Sequence, residues 1–170
     1  FQRKFKPEFI DIKDSLITGA GKGAFSNKLI KKNRFVGIYL GKKQSKFNQD
    51  EHYTFRTQNS NNEIYYINAE NKEESNWTRY INHNDNYNII QFICTKSNIY
   101  TDHGDNQVCF DGTVMFITKR DILPGEELYI SYNPDYTNII NNQLKIQNLS
   151  NINENKNIIN NNDNNDNDNY

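Results

Sequence analysis

The sequence predicts a mostly β domain with few short helices, followed by a tail. Two observations predict the domain. Short runs rich in Ile, Val, Phe and Tyr recur along the first 137 residues, separated by Gly, Asn and Asp clusters. Only two segments carry helical character, 49–55 and a short turn at 75–80. A third observation predicts the tail. From Asn138 to Tyr170 roughly half the residues are Asn. Such a segment buries too little apolar area to offset its ordering entropy, which predicts a disordered tail or linker over 138–170.

The elements follow in order. Phe9–Ile12, Ser15–Thr18, Phe35–Leu40, Tyr65–Asn68, Ile89–Thr95 and Val114–Thr118 are the strand candidates, each apolar or β-branched and bounded by turn residues. A hairpin is expected over Thr101–Thr113. The chain has 170 residues, with 20 Lys and Arg against 21 Asp and Glu. That balance gives no basic excess for general nucleic-acid binding. No apolar run approaches the roughly 20 residues of a membrane span. The N-terminal FQRKFKPEF does not read as a signal peptide. Cys94 and Cys109 make no CxxC pair, so a structural zinc cluster is not expected. They read as a buried thiol and a loop thiol, which fits a reducing compartment.

The run GAGKGAF at 19–25 raises the question of a phosphate loop. G-x-x-x-x-G-K-[ST] counted from Gly19 needs glycine at Ala24, and counted from Gly21 needs it at Ser26. Lys22 is followed by Gly23 rather than a hydroxyl residue, and a strand follows where a helix is required. A phosphate role is not expected. The glycines still leave a backbone with little steric cover, open to a flat ligand.

Read together, four segments resemble the SET-domain family of protein lysine methyltransferases, most of all its PR-type and shorter branches. GAGKGAF followed by RFVGIYLGK is similar to the family's GxGxF segment and GxYxG strand. YYINA at 65–69 resembles Y-x-I-D-A, with Asn68 in place of Asp. WTRYINH at 77–83 resembles R-F-x-N-H. KRDILPGEEL at 119–128, followed by Tyr132, resembles R-D-I-x-x-G-E-E-L-x-x-x-Y. The motifs occur in the family's order over 12–136.

The resemblance implies a SET domain over 1–137, with small β-sheets around a threaded, pseudoknot-like segment, an exception to the rule against threaded chains. It implies that S-adenosylmethionine binds against Ala20, Gly21, Lys22 and Gly23, with Tyr53, Asn82, His83 and Tyr132 completing the pocket and S-adenosylhomocysteine as product. It implies a catalytic hydroxyl at Tyr132 and channel residues at Tyr39 and Phe116. Arg79 takes a structural place near the knot, and Trp77 belongs to core packing. His52 and His103 receive no role. The substrate implied is a lysine of a protein, a histone tail above all, and hence a nuclear location.

Methyl transfer suits these residues. The lysine nucleophile must be a neutral amine, and a desolvated channel beside a sulfonium disfavours the ammonium form. Aromatic walls tolerate a methylated cation, and a tyrosine hydroxyl orients the methyl carbon through weak C–H···O bonds. No metal is required.

The chain also departs from the pattern. After His83, Asn84–Asn88 replaces Ser-Cys-x-Pro-Asn, and only the closing Asn88 matches. No cysteine triplet follows Tyr132, so no post-SET zinc site is expected, and Tyr136, the tail or a part of the protein outside this sequence is left to close the channel. Ile130 stands where many members carry a Phe or Tyr that sets the degree of methylation. The competing readings are a non-catalytic SET or PR-type module that binds a protein, and an unrelated β domain with an interaction tail.

Overall fold

Val114–Thr118 is a continuous apolar run, the pattern of a strand covered on both faces. The computed structural model describes residues 6–48, 52–94, 98–102 and 105–131, within the unit Phe1–Asn133, and only the backbone at 98–102 and 105–109. In it Val114–Thr118 is the centre of a three-stranded sheet and is buried throughout.

Among the described residues the strands are β1 (Ile10–Asp14), β2 (Lys22–Ser26), β3 (Phe35–Ile38), β4 (Lys42–Gln44), β5 (Thr54–Gln58) and β6 (Ile64–Asn68). They continue with β7 (Asn82–His83), β8 (Ile89–Ile93), β9 (Asn98–Asp102), β10 (Asp105–Cys109), β11 (Val114–Thr118) and β12 (Tyr129–Ile130). One 3-10 turn, Trp77–Tyr80, precedes β7. The strands form small sheets: β1-β2, β9-β10, β3-β11-β8, β4-β6-β5, and the parallel pair β7-β12. This is the SET-like, mostly β architecture expected. None of its helical turns is long and apolar enough to cross a membrane.

The core sits between these sheets. Phe116 of β11 lies between Gly37 of β3 and Gln91 of β8. Gly37 leaves room for the 3-10 turn, since a Cβ there would lie 3.0 Å from both Thr78 and Trp77. The turn is tied down by polar bonds. The Asn76 amide and the Thr78 hydroxyl both donate to the Ile38 carbonyl, at 2.9 and 3.1 Å. Trp77 is buried, as core packing requires.

Asn88, 1% exposed, clamps the C-terminal motif onto this framework. Its backbone N–H donates to the Tyr129 carbonyl (3.1 Å) and its carbonyl accepts from the Lys119 N–H (2.8 Å). Its side-chain amide donates to the Glu127 carbonyl and accepts from the Tyr129 N–H, both at 2.8 Å. These bonds fix β12 beside β7, with Tyr129 opposite Asn82 and Ile130 opposite His83.

Five expectations need correction. Ser15–Thr18 is not a strand but part of the connection from β1 to β2, because the Leu16 and Ile17 N–H groups donate to side-chain oxygens instead of to a ladder. In the 49–55 segment, 49–51 lie outside the described residues, and Thr54–Phe55 begin β5, paired to β6. The strand from Phe35 ends at Ile38, and the strand from Ile89 ends at Ile93. Cys94 is buried as expected but disulfide-bonded rather than free, which removes the ground for inferring a reducing compartment. His103, Tyr132, Tyr136 and the whole tail lie outside the described residues.

Asn88→Ala strips a buried carbonyl and a buried N–H of their partners. It is expected to lower the unfolding free energy by about 2–4 kcal/mol. Urea titration checks this, read at an unchanged slope. A loss below about 1 kcal/mol would show that β12 is held by other contacts.

Candidate functional site

The site is built on the β1–β2 connection. β1 and β2 pair in antiparallel register from Ile10↔Ser26 to Asp14↔Lys22, leaving 15–21 as the loop. The loop closes on itself through Ser15 N–H to the Gly21 carbonyl (2.8 Å) and Ala20 N–H to the Ile17 carbonyl (3.1 Å). Gly21 has φ of 73°, a left-handed conformation that L side chains rarely adopt. A Cβ there would meet nothing within 4 Å. The glycine therefore serves the backbone's handedness, and the loop's face stays open for a ligand.

Gly23 is glycine for a different reason. A Cβ there would sit 2.1 Å from Glu127 Oε1. The Lys22 side chain turns away to an exposed pair with Asp14, at 2.7 Å, and this bond holds the Asp14 carboxyl below its usual range. The Lys22 carbonyl faces the other way and accepts from the Asn82 amide at 3.1 Å.

Glu127 lies beneath the loop and is 2% exposed. Its Oε1 accepts from the Ser15 hydroxyl (2.7 Å) and the Asn82 amide (3.1 Å). Its Oε2 accepts from the Leu16 N–H (2.8 Å) and the Tyr129 hydroxyl (2.7 Å). Burial, the hydrogen bond to Glu127 and the charge of Glu127 together raise the Tyr129 phenol well above its usual value. The one carboxylate thus joins the loop, the Asn82 segment and the C-terminal motif. Sequence reasoning gave Glu127 no role, although it lies inside the quoted LPGEELYISY run.

His83 follows Asn82 on β7 and is partly exposed, with Nε2 3.6 Å from the exposed Asp85 carboxylate. The parallel pairing to β12 holds both residues beside the C-terminal motif. Gln91 of β8 donates to the Ser131 carbonyl at 2.9 Å, which ties down the chain just before position 132.

A second group of expected residues gathers around the sheet core. Tyr39 and Phe116 meet edge to face at a centroid distance of 6.1 Å. Phe55, which the sequence reading missed, packs against both, at 5.3 and 6.2 Å. The Tyr39 hydroxyl donates to the Tyr53 carbonyl at 2.7 Å. The Arg79 guanidinium stacks 4.3 Å from the centre of the Tyr53 ring and donates to the Glu70 carbonyl. Phe116 is fully buried, Tyr39 nearly so, and Tyr53 is partly exposed. Ile130 is buried on β12. Among the described residues no three His, Cys, Asp or Glu side chains are grouped to hold a metal.

Comparison with known proteins defines the class. The family model for the SET domain matches residues 21–133, and the chain belongs to that family. Its members are typically protein lysine methyltransferases. A search of the curated proteins finds no match. Among solved structures, the SET domain of the RIZ1 tumor suppressor (PRDM2) superposes with a TM-score of 0.61. It is 21% identical over 85% of this chain and 81% of that one. The methyltransferase domain of human PR domain-containing protein 2 gives 0.57 at 22% identity, covering 76% and 82%. A Chaetomium thermophilum polycomb repressive complex 2 bound to S-adenosylmethionine gives 0.51 at 21% identity, covering 80% of this chain and 17% of that one.

The raised Tyr129 phenol carries a pH consequence. Above about pH 10 an unfolded tyrosine ionises while the half-buried Tyr129 stays protonated, so the unfolded state gains stability. Tyr65, raised by burial and by Asp111, acts with the same sign. Stability is expected to hold up to about pH 10 and fall beyond it. Tyr129→Phe should flatten part of that fall, as read by thermal melting from pH 9 to pH 11. An identical profile in the mutant would show that Tyr129 does not titrate with folding.

Proposed function

We propose that this chain is an S-adenosylmethionine-dependent protein-lysine N-methyltransferase. The observation that carries the reading is the meeting of the open glycine loop with Asn82. The Asn82 amide is bonded to the Lys22 carbonyl, one residue from the left-handed Gly21. A loop with nothing above it and an oriented amide beside it fits a nucleoside that carries an amino acid. In this reading Ala20, Gly21, Lys22 and Gly23 offer backbone to the donor, and Tyr53, Asn82 and His83 flank it.

When bound, the donor supplies an electrophilic methyl group on a sulfonium. The chain's part is to receive a lysine side chain, strip it of water and aim it. Tyr39, Phe55 and Phe116 form an apolar aromatic wall that disfavours the ammonium form and accommodates a methylated cation. Tyr132 supplies the hydroxyl that orients the methyl carbon. The lysine ammonium releases its proton to solvent before attack, and the positive charge returns to nitrogen as the new C–N bond replaces the methyl's bond to sulfur. A histone tail is the proposed substrate and the nucleus the proposed location, by analogy with the family the motifs resemble.

The test is transfer of a labelled methyl group to core histones and nucleosomes. Wild type is expected to transfer, and Tyr132→Phe to lose about 100-fold or more, as misaligned in-line reactions do. Equal rates would remove Tyr132 from the reaction. Silence of both proteins toward histones and toward a panel of lysine peptides would overturn the enzymatic reading.

A further inference from the structure

The Asn82 amide has two N–H groups, and both are engaged. One donates to the Lys22 carbonyl and the other to Glu127 Oε1, each at 3.1 Å. A carbonyl and a carboxylate accept only, so the amide nitrogen must face them. The Asn82 Oδ1 is thereby turned the opposite way, and no donor among the described residues reaches it. We infer that Glu127 is a positioning residue. It fixes the rotamer of Asn82 so that Oδ1 is the atom offered to the donor's amino-acid end, which the family resemblance already assigns to this asparagine. This inference rests on the proposed function above.

Glu127 is itself held so that it cannot turn. The Leu16 N–H and the Tyr129 hydroxyl occupy Oε2, and the Ser15 hydroxyl shares Oε1. Gly23 packs so closely that a Cβ would collide with Oε1. The Leu16 N–H is a backbone donor and cannot reverse its polarity. A glutamine at 127 must therefore keep its oxygen at the Oε2 place and set its NH2 against Asn82. That NH2 meets the Asn82 NH2, donor against donor, and Asn82 must invert. Inversion points its Oδ1 at the Lys22 carbonyl and its NH2 at the ligand's ammonium, and both contacts turn repulsive.

The mechanism makes a distinctive demand on Asn82→Asp. At an ordinary site, an isosteric carboxylate would attract an ammonium more strongly than an amide does. Here the new carboxylate would face Glu127 and the Lys22 carbonyl, two acceptors, with no proton to offer them.

The experiment is calorimetric titration of the full chain with S-adenosylhomocysteine, with thermal melting of every variant. Four proteins form a double-mutant cycle: wild type, Glu127→Gln, Asn82→Ala and the double variant. Glu127→Gln is expected to weaken binding about 10- to 100-fold in the wild-type background, the effect of losing a hydrogen bond to a charged group. In the Asn82→Ala background the same change is expected to cost less than about 3-fold. Asn82→Asp, which leaves Glu127 and its other three donors in place, is expected to weaken binding at least 10-fold and serves if Glu127→Gln fails to fold. Equal losses in both backgrounds, or binding by Asn82→Asp as tight as wild type, would overturn the positioning role alone. Absence of binding by the folded wild-type chain would overturn the proposed function and this inference together.

Discussion

A buried anion organises this domain. The Glu127 carboxylate is 2% exposed, and an enclosed charge is tolerated only where donors surround it. Its four donors come from parts of the chain far apart in sequence: Ser15 and Leu16 at the start of the glycine loop, Asn82 on β7, and Tyr129 on β12. Each must be in place for the others to be worth having, so the requirement spreads outward. Gly23 must lack a side chain, the 15–18 turn must leave the sheet, and β7 must lie beside β12.

The aromatic half of the site is held by different physics. Tyr39, Phe55 and Phe116 interlock through ring contacts inside a sheet core, where non-directional burial dominates. Side-chain polar contacts enter at its rim, where Tyr39 reaches the Tyr53 carbonyl and Arg79 lies against the Tyr53 ring. Among the described residues Arg79 Nε and Nη1 have no hydrogen-bond partner although the residue is 7% exposed, so its stacking on the ring does work that hydrogen bonds usually share. The site therefore has one wall set by polar geometry and one set by packing.

This difference explains what could be read from the chain in advance. β11, β8 and β3 were legible because continuous apolar runs announce buried strands. Ser15–Thr18 carries the same β-prone residue types, yet it became a turn because a carboxylate more than a hundred residues away took its donors. No local pattern contains that fact. β2 was hidden by its glycines, and β7 and β12 are two-residue strands that no periodicity can reveal. Thr54–Gln58 pairs with β6 on tertiary grounds alone. The site residues were named through resemblance, motif by motif. Glu127 was passed over because its importance lies in whom it touches, and Phe55 because the aromatic wall is assembled across sheets.

The span of the Ser15–Glu127 bond, 112 residues, also has a meaning in time. At roughly 5–20 residues per second, synthesis of the intervening chain takes on the order of 10 s. Throughout that interval the first hairpin exists on the ribosome without the anion that shapes its loop. Contacts of such sequence separation also make folding slow, since loop closure comes before any reward. The ligand-facing loop is thus among the last features to mature, and a nascent chain cut short before position 127 would carry β1, β2 and the loop's local bonds without the carboxylate that receives Ser15 and Leu16.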